Sequence, residues 1–105
     1  MIDRAFHALA EPRRREILRA LADRELAAGE IAARFDVTRP AISQHLGVLR
    51  AAGLVEERRD GTRRRYRLRA SGLEPVRGWL DTFWDERLDA LKAAAEAEAG
   101  GTDDD

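Results

Sequence analysis

Two stretches of this chain carry side chains suited to gripping a partner rather than to making or breaking bonds. The first is Val37 to Gly53, VTRPAISQHLGVLRAAG. Wound as a helix, it puts Arg39, Ser43, Gln44 and Gly47 on one face. These groups are small or polar, with hydrogen-bonding capacity that matches base edges and phosphates. The second runs from Arg58 to Arg69, where seven arginines and one aspartate give a net charge of +6. Arginine offers a planar fork of donors that fits phosphate and guanine in a bidentate manner.

The elements that must hold these groups follow from local signals. Thr38 is a good N-cap, and Pro40 sits in the first turn, where its missing N–H costs nothing. Gly53 closes the far end, where a helix favours a residue that tolerates positive φ. Ile42, Leu46 and Leu49 recur at i, i+4 and i+7 and mark the buried face. Glycine is costly in mid-helix, so Gly47 needs a reason, and close approach to a phosphate or another backbone would supply one.

Upstream, the spacing predicts three helices. In the first, from Ile2 to Leu9, Ile2, Phe6 and Leu9 share a face. Eight residues are too few for a free helix, so it must pack on something. The next runs from Pro12 to about Asp23 with Ile17, Leu18 and Leu21 inward. Arg13, Arg14 and Arg15 fill its first turn, which is the wrong sign for the helix dipole. A phosphate, salt bridges to Glu11 or Glu16, or solvation would each resolve that conflict. The third runs from Leu26 to Phe35 with Ile31, Ala32 and Phe35 inward. Asp36-Val37 then makes a tight connection into Thr38, which reads as a helix-turn-helix or as an ordinary helical hairpin.

Downstream, LVEERRDGTRRRYRLR contains Asp60-Gly61, a strong two-residue hairpin signal. With those residues as the turn, Arg59 faces Thr62, Arg58 faces Arg63, Glu57 faces Arg64 and Val55 faces Tyr66. A basic hairpin tip directly after a groove-reading helix reads as a wing that clamps phosphates or enters a minor groove. Ser71 is expected to cap one long last helix, from Gly72 to about Ala97. Leu73, Val76, Leu80, Phe83, Trp84, Leu88 and Leu91 keep a three-four spacing there, and Trp79 widens the band. A second copy of the chain would bury such a stripe; packing back on the same chain is the alternative. Residues 1–98 are expected to form one domain, followed by a flexible acidic tail over residues 99–105.

Composition excludes several classes. At 105 residues, 44% of them hydrophobic, the chain has room for one domain and one core. There are no cysteines, which removes disulfides, thiol redox chemistry and thiolate metal sites. No apolar run reaches the length of a membrane span, and the first residues lack an apolar signal core, so a cytoplasmic protein is expected. The net charge of −1 hides an asymmetry: residues 1–70 carry 16 arginines against 10 carboxylates, net +6, and residues 71–105 carry 3 cations against 10 carboxylates, net −7. A basic front and an acidic back suit a protein that presents one side to a polyanion. No catalytic constellation is visible, so an enzyme is not expected. Asp81, Asp85 and Asp89 form a line that reads as a solvated face, with weak binding of a hard cation as the alternative. His7 reads as structural or solvated.

The order of these parts resembles the ArsR-type winged helix-turn-helix transcriptional repressors. The matching stretches are ALAEPRRREILRAL at 8–21, ELAAGEIAARFDVTRPAISQHLGVLRAAGLVEERRDGTRRRYRL at 25–68 and SGLEPVRGWLDTFWDERLDAL at 71–91. The resemblance implies a mainly α (α+β) fold of about five helices with a two-stranded β-hairpin wing. It implies a homodimer that binds a palindromic operator in double-stranded DNA and represses transcription. By position, the family's DNA-contacting residues fall on Arg39, Ser43 and Gln44, with Thr38, Pro40 and His45 beside them. The family's wing falls on Arg58, Arg59, Arg63, Arg64 and Arg65. The dimerisation helices fall at the two ends of the chain, with Ile2, Phe6, Leu9, Leu80, Phe83, Trp84, Leu88 and Leu91 as candidates. The cysteines of metal-sensing members, expected near Leu26 to Ile31, are missing, and so are histidines on the last helix. The FWDERL segment at 83–88 is more like the branch that does not sense metal, so no cofactor or metal is expected. Release from DNA by a small molecule, by a protein or with no effector stays open. Two other readings stand beside the repressor: a winged-helix module that binds another protein, and a sensor whose main event is ligand or metal binding.

Overall fold

Ile17, Leu21, Ile31, Ile42, Leu46, Leu49 and Leu54 are the large side chains fully withdrawn from solvent. They come from four consecutive segments, so one apolar centre holds the whole N-terminal part together. In the computed structural model, described over residues 2–84 and 86–103, these segments belong to the following elements. Helices α1 (Ile2–Leu9) and α2 (Pro12–Asp23) lead into the short strand β1 (Leu26–Ala27). Helices α3 (Ala28–Phe35) and α4 (Arg39–Ala51) follow, then strands β2 (Val55–Asp60) and β3 (Arg63–Leu68). A 3-10 turn (Ala70–Leu73), α5 (Glu74–Asp81), a second 3-10 turn (Thr82–Trp84) and α6 (Glu86–Asp103) complete the chain. Among the described residues no helix is long and apolar enough to cross a membrane.

The ends of α4 are set as the sequence predicts. Thr38 is extended and its hydroxyl accepts the Ala41 N–H at 3.3 Å. Gly53 takes φ +76 beyond the last turn. Asp36 adopts the left-handed conformation (φ 54, ψ 48) between α3 and α4, a conformation that aspartate tolerates better than most residues. The Val37 N–H then closes back on the Ala32 carbonyl at 3.1 Å.

The hairpin differs from the expected register. Its turn residues are Gly61 and Thr62, with Asp60 opposite Arg63, Arg59 opposite Arg64, Arg58 opposite Arg65, Glu57 opposite Tyr66 and Val55 opposite Leu68. An Asp60-Gly61 turn of the type I′ kind would need positive φ at both residues, whereas only Gly61 has it (φ +67). A glycine at the first central position is what a type II′ turn requires. Each partner thus moves by two residues, so every side chain keeps the face that was assigned to it. A third strand also joins the sheet: β1 pairs antiparallel with β3, Leu26 opposite Tyr66, giving the order β1-β3-β2. Leu26 and Ala27 therefore precede the third helix rather than open it.

The single helix expected from Gly72 to Ala97 is broken in two. Pro75 lies in the first turn of α5. Thr82 ends that helix, its hydroxyl donating to the Trp79 carbonyl at 2.6 Å, where the chain tightens into a 3-10 turn. Ser71 sits inside the 3-10 turn that precedes α5 and does not cap it. Beyond the break α6 runs to Asp103, so part of the stretch expected as a tail from residue 99 is helical. The described side chains of α6 are all exposed. The radius of gyration is accordingly 19.3 Å, against about 13 Å for a compact domain of this length.

One close approach ties the two halves together. Arg69 N–H donates to the Leu54 carbonyl at 2.9 Å, and the 3-10 turn that follows lays Gly72 against the Gly53 carbonyl. A Cβ on Gly72 would collide with that oxygen. Gly72→Ala is therefore expected to cost about 1–3 kcal/mol. Gly47, whose Cβ position is open, should accept alanine with a gain of up to ~1 kcal/mol. Urea unfolding midpoints of the two variants check this contrast.

Candidate nucleic-acid interface

Burying Ile42, Leu46 and Leu49 turns the opposite edge of α4 to solvent. Thr38, Arg39, Pro40, Ser43, Gln44 and Gly47 are all exposed. Arg39 and Ser43, one turn apart, line a groove of about 730 Å³ together with Gly29, Arg63 and Arg64. The groove thus runs between the start of α4 and the hairpin tip. The Arg39 guanidinium passes over the start of α3, where it would lie 3.7 Å from a Cβ on Gly29. His45 is not part of this edge. It is half-buried on the flank of the core, and its Nδ1 is buried without a hydrogen-bond partner.

The wing arginines divide into two groups. Arg58 donates to Glu25 at 2.9 Å, a pairing made possible because β1 brings the end of α2 alongside β3. Arg65 pairs with Asp60 at 3.0 Å and reaches Glu30 at 4.0 Å. Arg64 lies 3.4 Å from Glu57, and Arg67 pairs with Glu56 at 2.7 Å. Arg69 donates to the Gly53 carbonyl at 3.3 Å. Among the described residues, Arg59 and Arg63 have no carboxylate within ion-pairing distance, and both are exposed next to the Gly61-Thr62 turn. Arg39 is unpaired in the same sense. Most of the wing arginines are thus engaged within the chain, and Arg59 and Arg63 at its tip, with Arg39 at the start of α4, are exposed cations outside those contacts.

Of the carboxylates that do this matching, the sequence points to Glu57 alone. Glu57 and Arg64 were expected directly opposite each other; they meet diagonally across the strands instead. Glu25 lies 33 residues from Arg58, and no local signal links them.

Arg13, Arg14 and Arg15 are likewise accounted for inside the chain. Arg14 Nε donates to the Ala8 carbonyl at 2.7 Å and its terminal nitrogen to the His7 carbonyl at 3.0 Å. Arg15 donates to the Leu9 carbonyl at 2.7 Å. These cations cap the end of α1, where a helix presents unpaired carbonyls and a negative pole. Arg13 pairs with Glu16 at 3.3 Å and lies 5.4 Å from the centre of the Phe35 ring. Arg14 and Arg15, wrong-sign for α2, are right-sign for α1, and Arg13 takes the expected salt bridge to Glu16.

A second surface is apolar. Phe6 meets Trp79 edge-on at 5.1 Å, and Trp79 meets Phe83 edge-on at 4.8 Å. Trp79, Leu80, Phe83, Trp84 and Leu91 remain 41–68% exposed. Ile2, Phe6 and Leu9 are half-buried, while Ala5 and Ala8 of the same helix face the core. The side chain of Leu88 lies outside the described residues, as does Asp85 of the aspartate line. Among the described residues no group of three or more histidines or carboxylates converges as a metal site would require.

Comparison with known proteins places this arrangement. The family model described as bacterial regulatory protein, arsR family, matches residues 11–57, from the start of α2 into β2. The HTH-type transcriptional regulator Rv2034 of Mycobacterium tuberculosis is 46% identical over 100 residues, which cover 95% of this chain and 94% of that protein. The transcriptional repressor SdpR of Bacillus subtilis is 33% identical over 82 residues, 78% of this chain and 91% of that one. Among solved structures, the homodimeric winged helix-turn-helix DNA-binding domain (fragment 1–100) of Mb0332 from Mycobacterium bovis is similar with a TM-score of 0.66. That domain is 35% identical, and the match covers 85% of this chain and 82% of that one.

The assignment of Arg14 to the α1 cap has a measurable consequence. Arg14→Ala should lower stability by about 1–2 kcal/mol through the loss of two charge-assisted hydrogen bonds. It should leave the salt dependence of any polyanion binding unchanged, as urea unfolding and a salt titration would together establish.

Proposed function

The chain belongs to the arsR family of bacterial regulatory proteins, and from that premise we propose that it acts as a homodimeric repressor on a palindromic operator. As a member of that family it is a DNA-binding transcriptional regulator, with α3 and α4 as its helix-turn-helix and β2-β3 as its wing. In the proposed mechanism α4 of each protomer enters the major groove. Arg39, Ser43 and Gln44 then reach base edges or the flanking phosphates, with Thr38 and Pro40 fixing where the helix begins. Arg59 and Arg63 grip the backbone or the adjacent minor groove. Arg58, Arg64 and Arg65 serve mainly to hold the hairpin together. His45 supports α4 from its buried side.

The observation that carries this reading is the coincidence of unmatched donors. Arg39 at the start of α4 and Arg59 and Arg63 at the hairpin tip are exposed and lack carboxylate partners among the described residues. Binding a phosphate there displaces no internal ion pair. Gly47 adds to it: among the described residues, its own helix backbone aside, nothing lies within 4 Å of its Cβ position, which leaves room for a reason outside the chain. A passing phosphate is such a reason.

The apolar row from Phe6 through Trp79 to Phe83, with Leu80, Trp84 and Leu91, is the proposed dimer face. The SdpR name supports repression, and the homodimeric state of the Mb0332 domain supports the dimer. Two recognition helices related by a two-fold axis would read half-sites about one helical turn, ~34–36 Å, apart. We place the protein in the cytoplasm, with binding rather than catalysis as its work. Release from DNA proceeds without a thiolate metal site, since the chain has no cysteine.

Fluorescence anisotropy against a duplex selected by the protein from a random library, and against a scrambled duplex, tests the reading over a range of salt. Gln44→Ala should weaken the selected duplex by about 1–3 kcal/mol and spare the scrambled one. Arg63→Ala should weaken both and make the slope of log K against log salt shallower by about 1 per protomer. Equal losses on both duplexes for both variants would contradict this division of labour. Wild-type protein that binds neither duplex at low salt would favour a protein-binding winged helix instead.

Trp84→Glu should raise the dimer dissociation constant on the order of a hundredfold, as expected for an aromatic anchor in an interface. Sedimentation equilibrium would detect the resulting monomer.

A further inference from the structure

One carboxylate in the wing is unlike the others. The Glu57 side chain is only 14% exposed, and each of its oxygens faces a different arginine. Oε2 accepts from Arg50 at 3.0 Å, and Oε1 lies 3.4 Å from Arg64 Nε. Arg50 belongs to the last turn of α4 and Arg64 to β3, so a single carboxylate joins the reading helix to both strands of the wing. The two arginine side chains are 62% and 58% exposed around a sheltered acid.

We infer that Glu57 is a positioning residue that ties the wing to α4 and withholds Arg50 and Arg64 from the DNA backbone, so that the wing grips through its tip alone. The inference rests on the DNA-binding function proposed above. Its physical basis is the cost of exchange. For Arg64 to grip a phosphate it must give up Glu57, leaving a carboxylate that is only 14% exposed with Arg50 as its remaining partner, and a sheltered charge short of a partner costs free energy. Arg59 and Arg63 face no such cost. The same link sets the angle between α4 and the hairpin, so it bears on register as well as on affinity. A wing with all its arginines free would hold any duplex tightly; Glu57 lowers that sequence-independent part of binding, which is where selectivity is lost.

The test uses the full chain, the library-selected duplex and the scrambled duplex. Glu57→Gln keeps the size of the side chain and removes its charge. It should steepen the slope of log K against log salt by about 1–2 per protomer, as one or two further phosphate contacts would. Binding to the scrambled duplex at low salt should rise roughly threefold to tenfold, and the ratio of selected to scrambled affinity should fall. Arg64→Gln, at a position whose side chain is 58% exposed, provides the second arm, its fold checked by thermal denaturation. It should leave the slope where the wild type has it, whereas Arg63→Gln should make it shallower by about 1. A Glu57→Gln protein that matches the wild type on both duplexes would overturn the inference, as would an Arg64→Gln slope as shallow as that of Arg63→Gln. Should Glu57→Gln fail to fold by thermal denaturation, the Arg64 and Arg63 arms decide alone. Wild-type protein that fails to bind either duplex would instead sink the DNA-binding reading itself.

Discussion

The burial of Ile42, Leu46 and Leu49 is the constraint on which the rest depends. A helix that commits three residues at i, i+4 and i+7 to a core cannot choose what it shows on the other side. Ile17 and Leu21 of α2 and Ile31 of α3 share the same buried cluster. Helix α4 is therefore clamped along its length, and Arg39, Ser43 and Gln44 are displayed by a rigid element rather than by a loop. That rigidity matters for reading bases, since a bidentate contact rewards only a donor already held in the right plane. The tight turn through Asp36, with its left-handed backbone, sets where along the helix this display begins.

The wing works under a different constraint. Its register puts Arg58 opposite Arg65 and Arg59 opposite Arg64, like charges that destabilise a bare hairpin. The chain answers with carboxylates on the hairpin itself (Glu56, Glu57, Asp60) and from elsewhere (Glu25, Glu30). Charge matching of this kind makes the hairpin foldable, and it also decides which arginines stay available. Exposed ion pairs contribute little to stability one by one. Their effect on what remains unpaired is the larger one, because it sets how many counterions the protein can release from a polyanion.

Where sequence signals were local they proved readable. Thr38, Pro40 and Gly53 bracket α4 through backbone chemistry that neighbouring residues settle among themselves, and the apolar spacing identified its buried face. The misreadings lie where the deciding partner is distant or two local signals compete. Asp60-Gly61 and Gly61-Thr62 are both acceptable turns, and the difference rests on one residue avoiding positive φ. Strand β1 is two residues long and exists only because β3 offers it an edge. The break at Thr82 comes from a hydroxyl bonding back to a carbonyl, which leaves the three-four apolar spacing intact and so hides it from any periodicity. Arg14 and Arg15 look misplaced against their own helix, while their partners are the end carbonyls of the helix before. Of the candidate interface, the α4 edge was legible; the sorting of the wing arginines was not, because it depends on the folded sheet.

The break at Thr82 also bears on assembly. A continuous helix over the last third of the chain would carry its apolar stripe straight along one line. The 3-10 turn redirects it; Trp79 meets Phe6 of α1 edge-on, and Phe83, within the turn, meets Trp79 edge-on. The two ends of the chain thereby become one surface, apolar and still 46–50% exposed at Trp79 and Phe83. An aromatic row left open to water is costly for an isolated domain. The projecting α6 and its exposed Leu91 extend the same uncovered area. A two-fold partner would cover both at once, since a self-complementary patch needs to be built only once in the sequence. The acidic balance of residues 71–105 then has a physical role. In such a dimer it would turn the basic front of each protomer, rather than the acidic end, towards a polyanion.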